Sequence, residues 1–296
     1  MPTLTGTKPF KSYDEQIALL KSRGLIINND ETAKDILKRM NYYRLSAYSL
    51  TLRKNDQFYP GVSIEDIVSL YDFDADLRKI IFEFSEIAET SARAYIAYYH
   101  AQKYGPLGYL NNQNFESELN HSIFLKELFS AIKRSSDIFV IHHKEDLEGI
   151  YPVWVAIEET TFGALSKFYK NMLVEDRKAI AKEFYGIPRK YVENFMQCAS
   201  VARNIAAHGG RFYNRVKLNP AVNLPSKVSF IENDRPAAYI YAIYSLIPDR
   251  KKYFMLTALQ RTFSHHPYAK PQYLGLPENW FQLFEDSQII EDSQTK

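Results

Sequence analysis

The chain has few of the residues that build disulfides, cysteine-rich metal sites and tight turns. Its 296 residues include one cysteine, Cys198, and only 11 glycines. A single cysteine excludes an intrachain disulfide, and glycine at about half its usual share of about 7% disfavours many tight turns. No apolar run approaches the roughly 18 residues of a membrane-spanning helix, and the N-terminus has no apolar signal-peptide core. These absences predict a soluble, cytoplasmic and largely helical protein.

The composition is otherwise that of a globular protein, but its charge is unevenly distributed. The apolar share of 46% and the charged share of 24% are typical of a folded chain. The net charge is only +2, yet residues 161–270 contain 18 Lys and Arg against 7 Asp and Glu. This basic 161–270 region favours an anionic partner, although solvated helix faces produce the same excess.

Helix signals occur along most of the chain. A capping box at Ser12 and Glu15 predicts a first helix that Gly24 ends. Asp30 is expected to cap a second helix, and Asn41 to open a third. Strands are expected to be short and local, so the predicted fold class is all-α. Longer helices are predicted over 63–104 with a break near 72–74, and over 116–135, 151–172, 175–185, 188–208, 236–247 and 250–264.

A turn-forming segment over residues 53–61 indicates a boundary between two parts of the chain. We expect an additional N-terminal helical region over residues 1–60. The second part, residues 61–296, is expected to be one helical domain that contains the basic 161–270 region.

The end of the predicted 188–208 helix carries the most informative side chains. Asn204 and His208 are four residues apart and share a helix face, whereas Arg203 is rotated by about 140° from His208. Arg203 therefore reaches around the helix or acts against a partner protomer. His208 precedes Gly209-Gly210, where the helix dipole favours a positively charged ring that donates a proton near neutral pH.

Further cations follow this helix and are candidate phosphate-binding residues. Arg211 and Arg215 supply planar donors that suit phosphate oxygens, and Lys217 adds a third positive charge. A simpler interpretation remains open for the helix end itself. There His208 caps carbonyl groups, while Arg203 and Asn204 tie helices together.

Three polar residues of the predicted 63–104 helix are possible supporting residues. Arg93 and His100 are seven apart on one face, and Glu89 lies near them. This face either supplies polar partners to the 188–208 helix or forms a satisfied polar stripe in a helix bundle, and the second interpretation is the more common one.

The remaining histidines do not form an attractive site. Arg261 and His266 repeat the spacing of Arg203 and His208, but Pro267 follows at once, so a helix end is predicted there. Neighbouring histidines have diverging side chains, which disfavours a metal site. These pairs are His142-His143 and His265-His266.

The stretch from Arg203-Asn204 to His208 resembles the Arg-Asn-x(2–4)-His signature of HEPN domains, which are helical bundles found in many RNases of antiviral and toxin systems. The wider chain resembles the Abi-like group of bacterial abortive-infection proteins (AbiD/AbiF), which are similar to the HEPN nucleases of RNA-guided type VI CRISPR effectors. One departure is Gly209-Gly210, where a bulkier residue is expected after the histidine. The resembling blocks are Lys8-Pro9, Leu45–Tyr48, Leu70–Asp74 with Leu77-Arg78, Glu86–Glu89 with Arg93, Pro152–Glu158, Phe162–Ser166, Arg203–His208 and Gly275–Trp280.

This resemblance implies a HEPN-like helical bundle and metal-independent RNA cleavage, in which the 2′-hydroxyl attacks the adjacent phosphate. His208 would act as general acid or base, Arg203 would bind the phosphate, and Asn204 would orient one of them. No metal or cofactor is implied, and the sequence has no H-E-x-x-H motif or Gly-rich phosphate loop.

The implied biological role is phage defence by a homodimer that joins two Arg/His sets in one cleft and is associated with or regulated by a small RNA. Two alternatives remain open. One is a non-catalytic RNA-binding protein, which the basic 161–270 region suits. The other is a protein–protein module of a toxin–antitoxin system.

Overall fold

Helices form most of the framework. The computed structural model describes residues 9–287, so Lys8 of the first resembling block lies outside the described residues. One short hairpin joins strand β1 (Arg53–Lys54) to strand β2 (Gln57–Phe58). The α-helices are α1 (Tyr13–Ser22), α2 (Asp30–Met40), α3 (Tyr42–Tyr48), α4 (Ile64–Tyr104), α5 (Glu118–Arg134), α6 (Ile138–Asp146), α7 (Val153–Ala156), α8 (Phe162–Asn171), α9 (Val174–Ile180), α10 (Arg189–Ala207), α11 (Pro236–Leu246), α12 (Asp249–His265) and α13 (Trp280–Asp286). The all-α prediction is confirmed.

The N-terminal helix boundaries follow local capping chemistry. The capping box of Ser12 and Glu15 is present at the start of α1, and Gly24 follows its end with a positive φ of 84°. The predicted cap of α2 was wrong by one residue. Asn29 lies in extended backbone, and its side chain accepts the amides of residues 31 and 32 at 3.0 Å. Asp30 is instead the first helical residue, where its charge complements the helix dipole.

Helix α4 runs without the break that was expected near residues 72–74. Asp74, a poor helix former, is fully buried there, and the Tyr48 hydroxyl donates to its Oδ2 atom at 2.7 Å. Phe73 is also fully buried. Tertiary packing therefore outweighs the weak local propensity of this turn.

The helix expected over 151–172 is divided in two. Thr160 leaves the helical conformation, and the Thr161 hydroxyl accepts the amide of Ala164 at 3.2 Å to cap α8. The helix expected over 175–185 is also composite, because α9 continues into a π-helical turn over Ala181–Tyr185. Helices α6 and α13 were missed, since both are short and lack a side-chain cap.

The described residues divide into two compact units. One unit extends to Asp76 and includes Thr262–Lys270, and the other contains Leu77–Arg261 with the described residues from Pro271 onward. In the first unit the amide of Ile26 donates to the Val62 carbonyl at 2.9 Å. The turn-forming segment 53–61 thus lies within this unit, and the division falls inside α4 rather than at residue 60.

Helix α10 forms the centre of the second unit, where it packs against α8 and α11. Its buried residues recur at helical spacing, as the sequence predicted, and each large apolar side chain buried in this way stabilises the fold by about 1.5–3 kcal/mol. This packing fixes which face of α10 remains accessible. The buried residues include Val192, Phe195, Ala199, Ala202 and Ala206. None of the helices within residues 9–287 has both the length and the apolar character needed to cross a membrane.

Candidate active site

The accessible end of α10 carries the three predicted catalytic side chains. Asn204 and His208 are exposed, whereas Arg203 is half-buried. His208 is the residue that caps the helix, one position beyond its last turn, and its amide donates to the Asn204 carbonyl at 3.0 Å. A helix with one face held in the core therefore presents a histidine and an amide to solvent.

Two glycines fold the chain back against α10 directly after His208. Gly209 has a positive φ of 66°, and the amide of Gly210 donates to the Ile205 carbonyl at 2.8 Å. A Cβ atom at position 210 would lie 2.8 Å from Cγ2 and 3.1 Å from the carbonyl oxygen of Ile205. The double glycine, a departure from the HEPN pattern, is thus required by this tight return.

Arg203 lies beside a carboxylate of α4. Its Nε atom is 3.9 Å from Oε2 of Glu89, and its Nη1 atom donates to the Asn204 side chain at 3.4 Å. Its guanidinium carbon also lies 5.5 Å from the ring centroid of Phe82. Arg203 is therefore oriented by two residues of α4, while 35% of its side chain stays exposed.

Glu89 is shared between two arginines. Arg93 donates from Nη2 to Glu89 Oε1 at 2.5 Å and to the Thr160 carbonyl at 2.6 Å. Burial raises the pKa of Glu89 because only 4% of the residue is exposed, while Arg93 and then Arg203 oppose that increase. Removing one partner of such a buried pair costs about 3–5 kcal/mol. Because Arg93 also bonds the Thr160 carbonyl, the pair ties this part of α4 to the residues before α8.

His100, the third predicted supporting residue, is not part of this cluster. It is fully buried about three turns beyond Glu89 on α4, among the rings of Tyr104, Phe115 and Phe168 at 5.0–5.9 Å. Neither ring nitrogen has a hydrogen-bond partner among the described residues, and burial lowers the pKa of His100 to about 4. It is a neutral core residue.

The predicted phosphate-binding cations lie in the segment after α10. Nη1 of Arg211 donates to the Tyr213 carbonyl at 3.1 Å, and Nη1 of Arg215 donates to the Arg211 carbonyl at 3.5 Å. Both arginines are half-buried, and Lys217 is exposed. The two guanidinium groups thus help to hold the segment, and Lys217 is the most accessible of the three cations.

His266 has contacts of its own. It follows the end of α12, as predicted, and its ring nitrogens lie 3.3 Å from the Ser69 hydroxyl and 3.3 Å from Asp76. It also packs edge-on against Phe73 in the first unit. Within residues 9–287, no group of three or more His, Cys, Asp or Glu side chains is arranged to hold a metal ion.

Two residues of the site were missed from the sequence. Phe82 is seven residues before Glu89, and this spacing places both side chains on one face of α4. The spacing was therefore the sequence signal that could have found Phe82. Thr160 joins the site through its backbone carbonyl, which accepts the hydrogen bond from Arg93. The sequence indicated this position only by a Thr-Thr pair, which is typical of a helix start.

The chain matches the family model of Abi-like proteins over residues 35–214. This match covers more than half of the chain and includes both Glu89 and the Arg203–His208 segment. Comparisons with curated proteins and with solved structures found no match. Abi-like proteins are abortive-infection proteins, so the match indicates a role in phage defence. The chain therefore belongs to the Abi-like protein family.

Proposed function

We propose that this protein is a metal-independent endoribonuclease of the HEPN class that acts in phage defence. The observation that carries the proposal is the position of Arg203 between Glu89 and Phe82, on the helix end that also exposes Asn204 and His208. An oriented guanidinium and an accessible imidazole are the two groups that RNA cleavage by an internal 2′-hydroxyl requires.

Each side chain has a role in that reaction. Attack by the 2′-hydroxyl needs a base to accept its proton and an acid to protonate the leaving 5′-oxygen, and imidazole performs either transfer near neutral pH. Negative charge builds on the phosphoryl oxygens, where a guanidinium provides paired donors. His208 transfers the proton, Arg203 binds the phosphoryl oxygens, and Asn204 orients Arg203 through their 3.4 Å contact.

The surroundings of Arg203 are consistent with phosphate binding. Its Nε atom faces Glu89 and its Nη1 atom contacts Asn204, while Nη2 makes no hydrogen bond within the described part of the chain. Glu89 therefore fixes the direction of the guanidinium without using all of its donors. Arg211, Arg215 and Lys217 add positive charge for the flanking phosphates.

The proposal includes a homodimer and a bound or regulatory small RNA. Positions 203 and 208 are about 140° apart on an ideal helix, and His208 lies one residue beyond the end of α10, so we expect that one copy does not direct both side chains at one phosphate without a bent arginine side chain. A second copy would supply the missing partner of each set. The excess of positive charge over residues 161–270 favours RNA as the ligand.

The decisive experiment compares Arg203→Ala and His208→Ala with matched substitutions on α12. Each site variant is expected to lose about 10²–10⁴ in cleavage rate while its helical circular dichroism is retained. Arg261→Ala and His265→Ala are the controls, because these exposed residues form another Arg/His set at a helix end and should keep wild-type activity.

Product chemistry completes the test. Cleavage is expected to persist in EDTA and to leave a cyclic phosphate at the new end. A His208→Ala protein that cleaves at the wild-type rate would contradict the assignment. A wild-type protein that binds RNA but never cleaves it, including in infected cells, would favour the non-catalytic RNA-binding alternative. A purified protein that carries no bound nucleic acid would favour the protein–protein module.

A further inference from the structure

Two adjoining cavities open between α5 and α8. Their volumes are about 510 Å³ and 520 Å³, and they share four lining residues, Ile123, Phe124, Glu127 and Ala164. Cavities with a common wall of this extent form one continuous groove, which we call the α5–α8 groove. Helix α5 has 17 residues and is therefore about 25 Å long, which is longer than a single nucleotide requires.

The groove is held open by fixed contacts at its far end. The Asn171 side chain donates to the Ser117 carbonyl at 3.0 Å and accepts the Ser117 amide at 3.1 Å, which ties α8 to the start of α5. Buried Arg177 bonds Glu116 at 2.6 Å and Glu193 at 2.8 Å. A groove formed in advance loses little conformational freedom when a ligand binds.

The charges along the groove favour a polyanion. Four exposed cations line it and form no ion pair with any described carboxylate, namely Lys126, Arg134, Lys167 and Lys170. Two lining carboxylates, Glu127 and Glu159, are likewise unpaired. The lining residues Arg177 and Glu116 form an ion pair and cancel, and Glu193, the second partner of Arg177, is shared with Arg189. The unpaired charges of the groove therefore sum to a positive value, which favours a phosphate backbone. The apolar floor of the groove, formed around Phe124, is a surface against which bases can stack.

A chain of three side-chain contacts links the second cavity to the candidate active site. Thr160 lines the second cavity, and its carbonyl accepts the 2.6 Å hydrogen bond from Arg93. Arg93 in turn bonds Glu89, which lies beside Arg203. Thr160 is thus the lining residue through which the groove is connected to Arg203, and a strand bound at Arg203 would meet the groove there.

We infer that the α5–α8 groove binds the single-stranded segment of RNA that flanks the cleaved phosphate. The lysines of α5 and α8 contact its backbone, and its bases lie against the apolar floor. This inference rests on the proposed function, because the occupant is chosen by the charge of the groove together with the contacts that link Thr160 to the Arg203 site. The positive balance of the groove argues for RNA rather than an amphipathic protein helix.

The test combines charge reversal with substrates of two lengths. Lys167→Glu/Lys170→Glu changes two groove cations one helical turn apart, and Lys178→Glu/Lys182→Glu makes the same change on two exposed lysines that do not line the groove. Cleavage is measured on a dinucleotide and on an unstructured RNA of about twelve nucleotides. The groove variant is expected to lose about tenfold or more in kcat/KM on the longer RNA and nothing on the dinucleotide, while the control pair stays near wild type.

Binding is measured separately in the His208→Ala background, which removes cleavage. Losing two phosphate contacts should reduce the slope of log affinity against log salt by about 1.4 for the twelve-nucleotide RNA. Ala164→Phe narrows the groove without a change of charge and should weaken the same binding. Circular dichroism verifies that each variant is folded.

The outcomes separate the two proposals. If wild-type protein cleaves neither RNA but binds the longer one through Lys167 and Lys170, the nuclease proposal fails and the groove remains an RNA site. If cleavage occurs and both lysine pairs have equal effects, the groove assignment is overturned. The groove assignment is also overturned if the groove variant cleaves the dinucleotide as poorly as it cleaves the longer RNA. Unchanged RNA affinity in the groove variants would overturn it as well.

Discussion

Glu89 joins Arg93 and Arg203, with Arg93 Nη2 at 2.5 Å from one carboxylate oxygen and Arg203 Nε at 3.9 Å from the other. The carboxylate is almost completely buried, so its charge is felt strongly by both guanidinium groups. Through this residue α4 orients the exposed end of α10. Glu89 is a positioning residue, since it acts on Arg203 rather than on RNA.

Replacing Glu89 by glutamine should reduce the rate of RNA cleavage by the folded protein, and it should also lower the free energy of unfolding because Arg93 loses its charged partner. The amide keeps the shape of the carboxylate but removes the charge that holds Arg203, and a displaced catalytic group costs up to about 10² in rate. The loss is expected in kcat rather than in RNA affinity. Glu86→Gln, which changes an exposed carboxylate one turn earlier on α4, should be silent in the same assay. Equal rates for the two variants would remove the positioning role.

Phe82→Ala should lower the cleavage rate modestly. A cation–π contact at an exposed site contributes about 0.5–1 kcal/mol, which corresponds to a loss of roughly twofold to fivefold if the contact holds Arg203 in its reactive position. Phe254→Ala is a matched control, because that ring is also exposed and lies 6.0 Å from a lysine ammonium, that of Lys251. Single-turnover kinetics would measure the difference.

Gly210→Ala should destabilise the turn that follows His208. The added methyl group would lie 2.8 Å from Ile205, and overpacking of this kind costs about 1–3 kcal/mol. Gly163→Ala on α8 is the control, since its nearest neighbour is 4.0 Å away and alanine in a helix is about 0.5–1 kcal/mol more favourable than glycine. Denaturant midpoints should therefore shift in opposite directions.

His100 should make the protein sensitive to acid. Its folded pKa of about 4 is below the unfolded value of about 6.5, so the unfolded chain binds the proton first as the pH falls. The stability is complete above pH 6.5 and declines between pH 6.5 and 4, by up to about 3 kcal/mol.

His100→Leu removes the titrating ring and should flatten that part of the stability profile. The measurement is the free energy of unfolding between pH 4 and 7, with exposed His265→Ala as the control. An unchanged slope in His100→Leu would show that other groups cause the acid sensitivity.

Local chemistry explains which parts of the fold were predictable. The capping box at Ser12, the cap at Asn41 and the glycine after α1 each involve hydrogen bonds between residues within about five positions of one another. The same holds for the 3.0 Å hydrogen bond from the His208 amide to the Asn204 carbonyl at the end of α10. Such features depend on short stretches of chain, so the sequence predicts them directly.

The sequence by itself determined the all-α class, most helix ends and the place of Arg203 and His208 at the end of one helix. Only the tertiary structure decided that Glu89 lies beside Arg203 and that His100, on the same helix, is enclosed by the rings of Phe115 and Phe168. The physical reason is the range of the interactions. Helix caps and periodicity arise between near neighbours, whereas burial and ion pairing depend on residues brought together from distant parts of the chain.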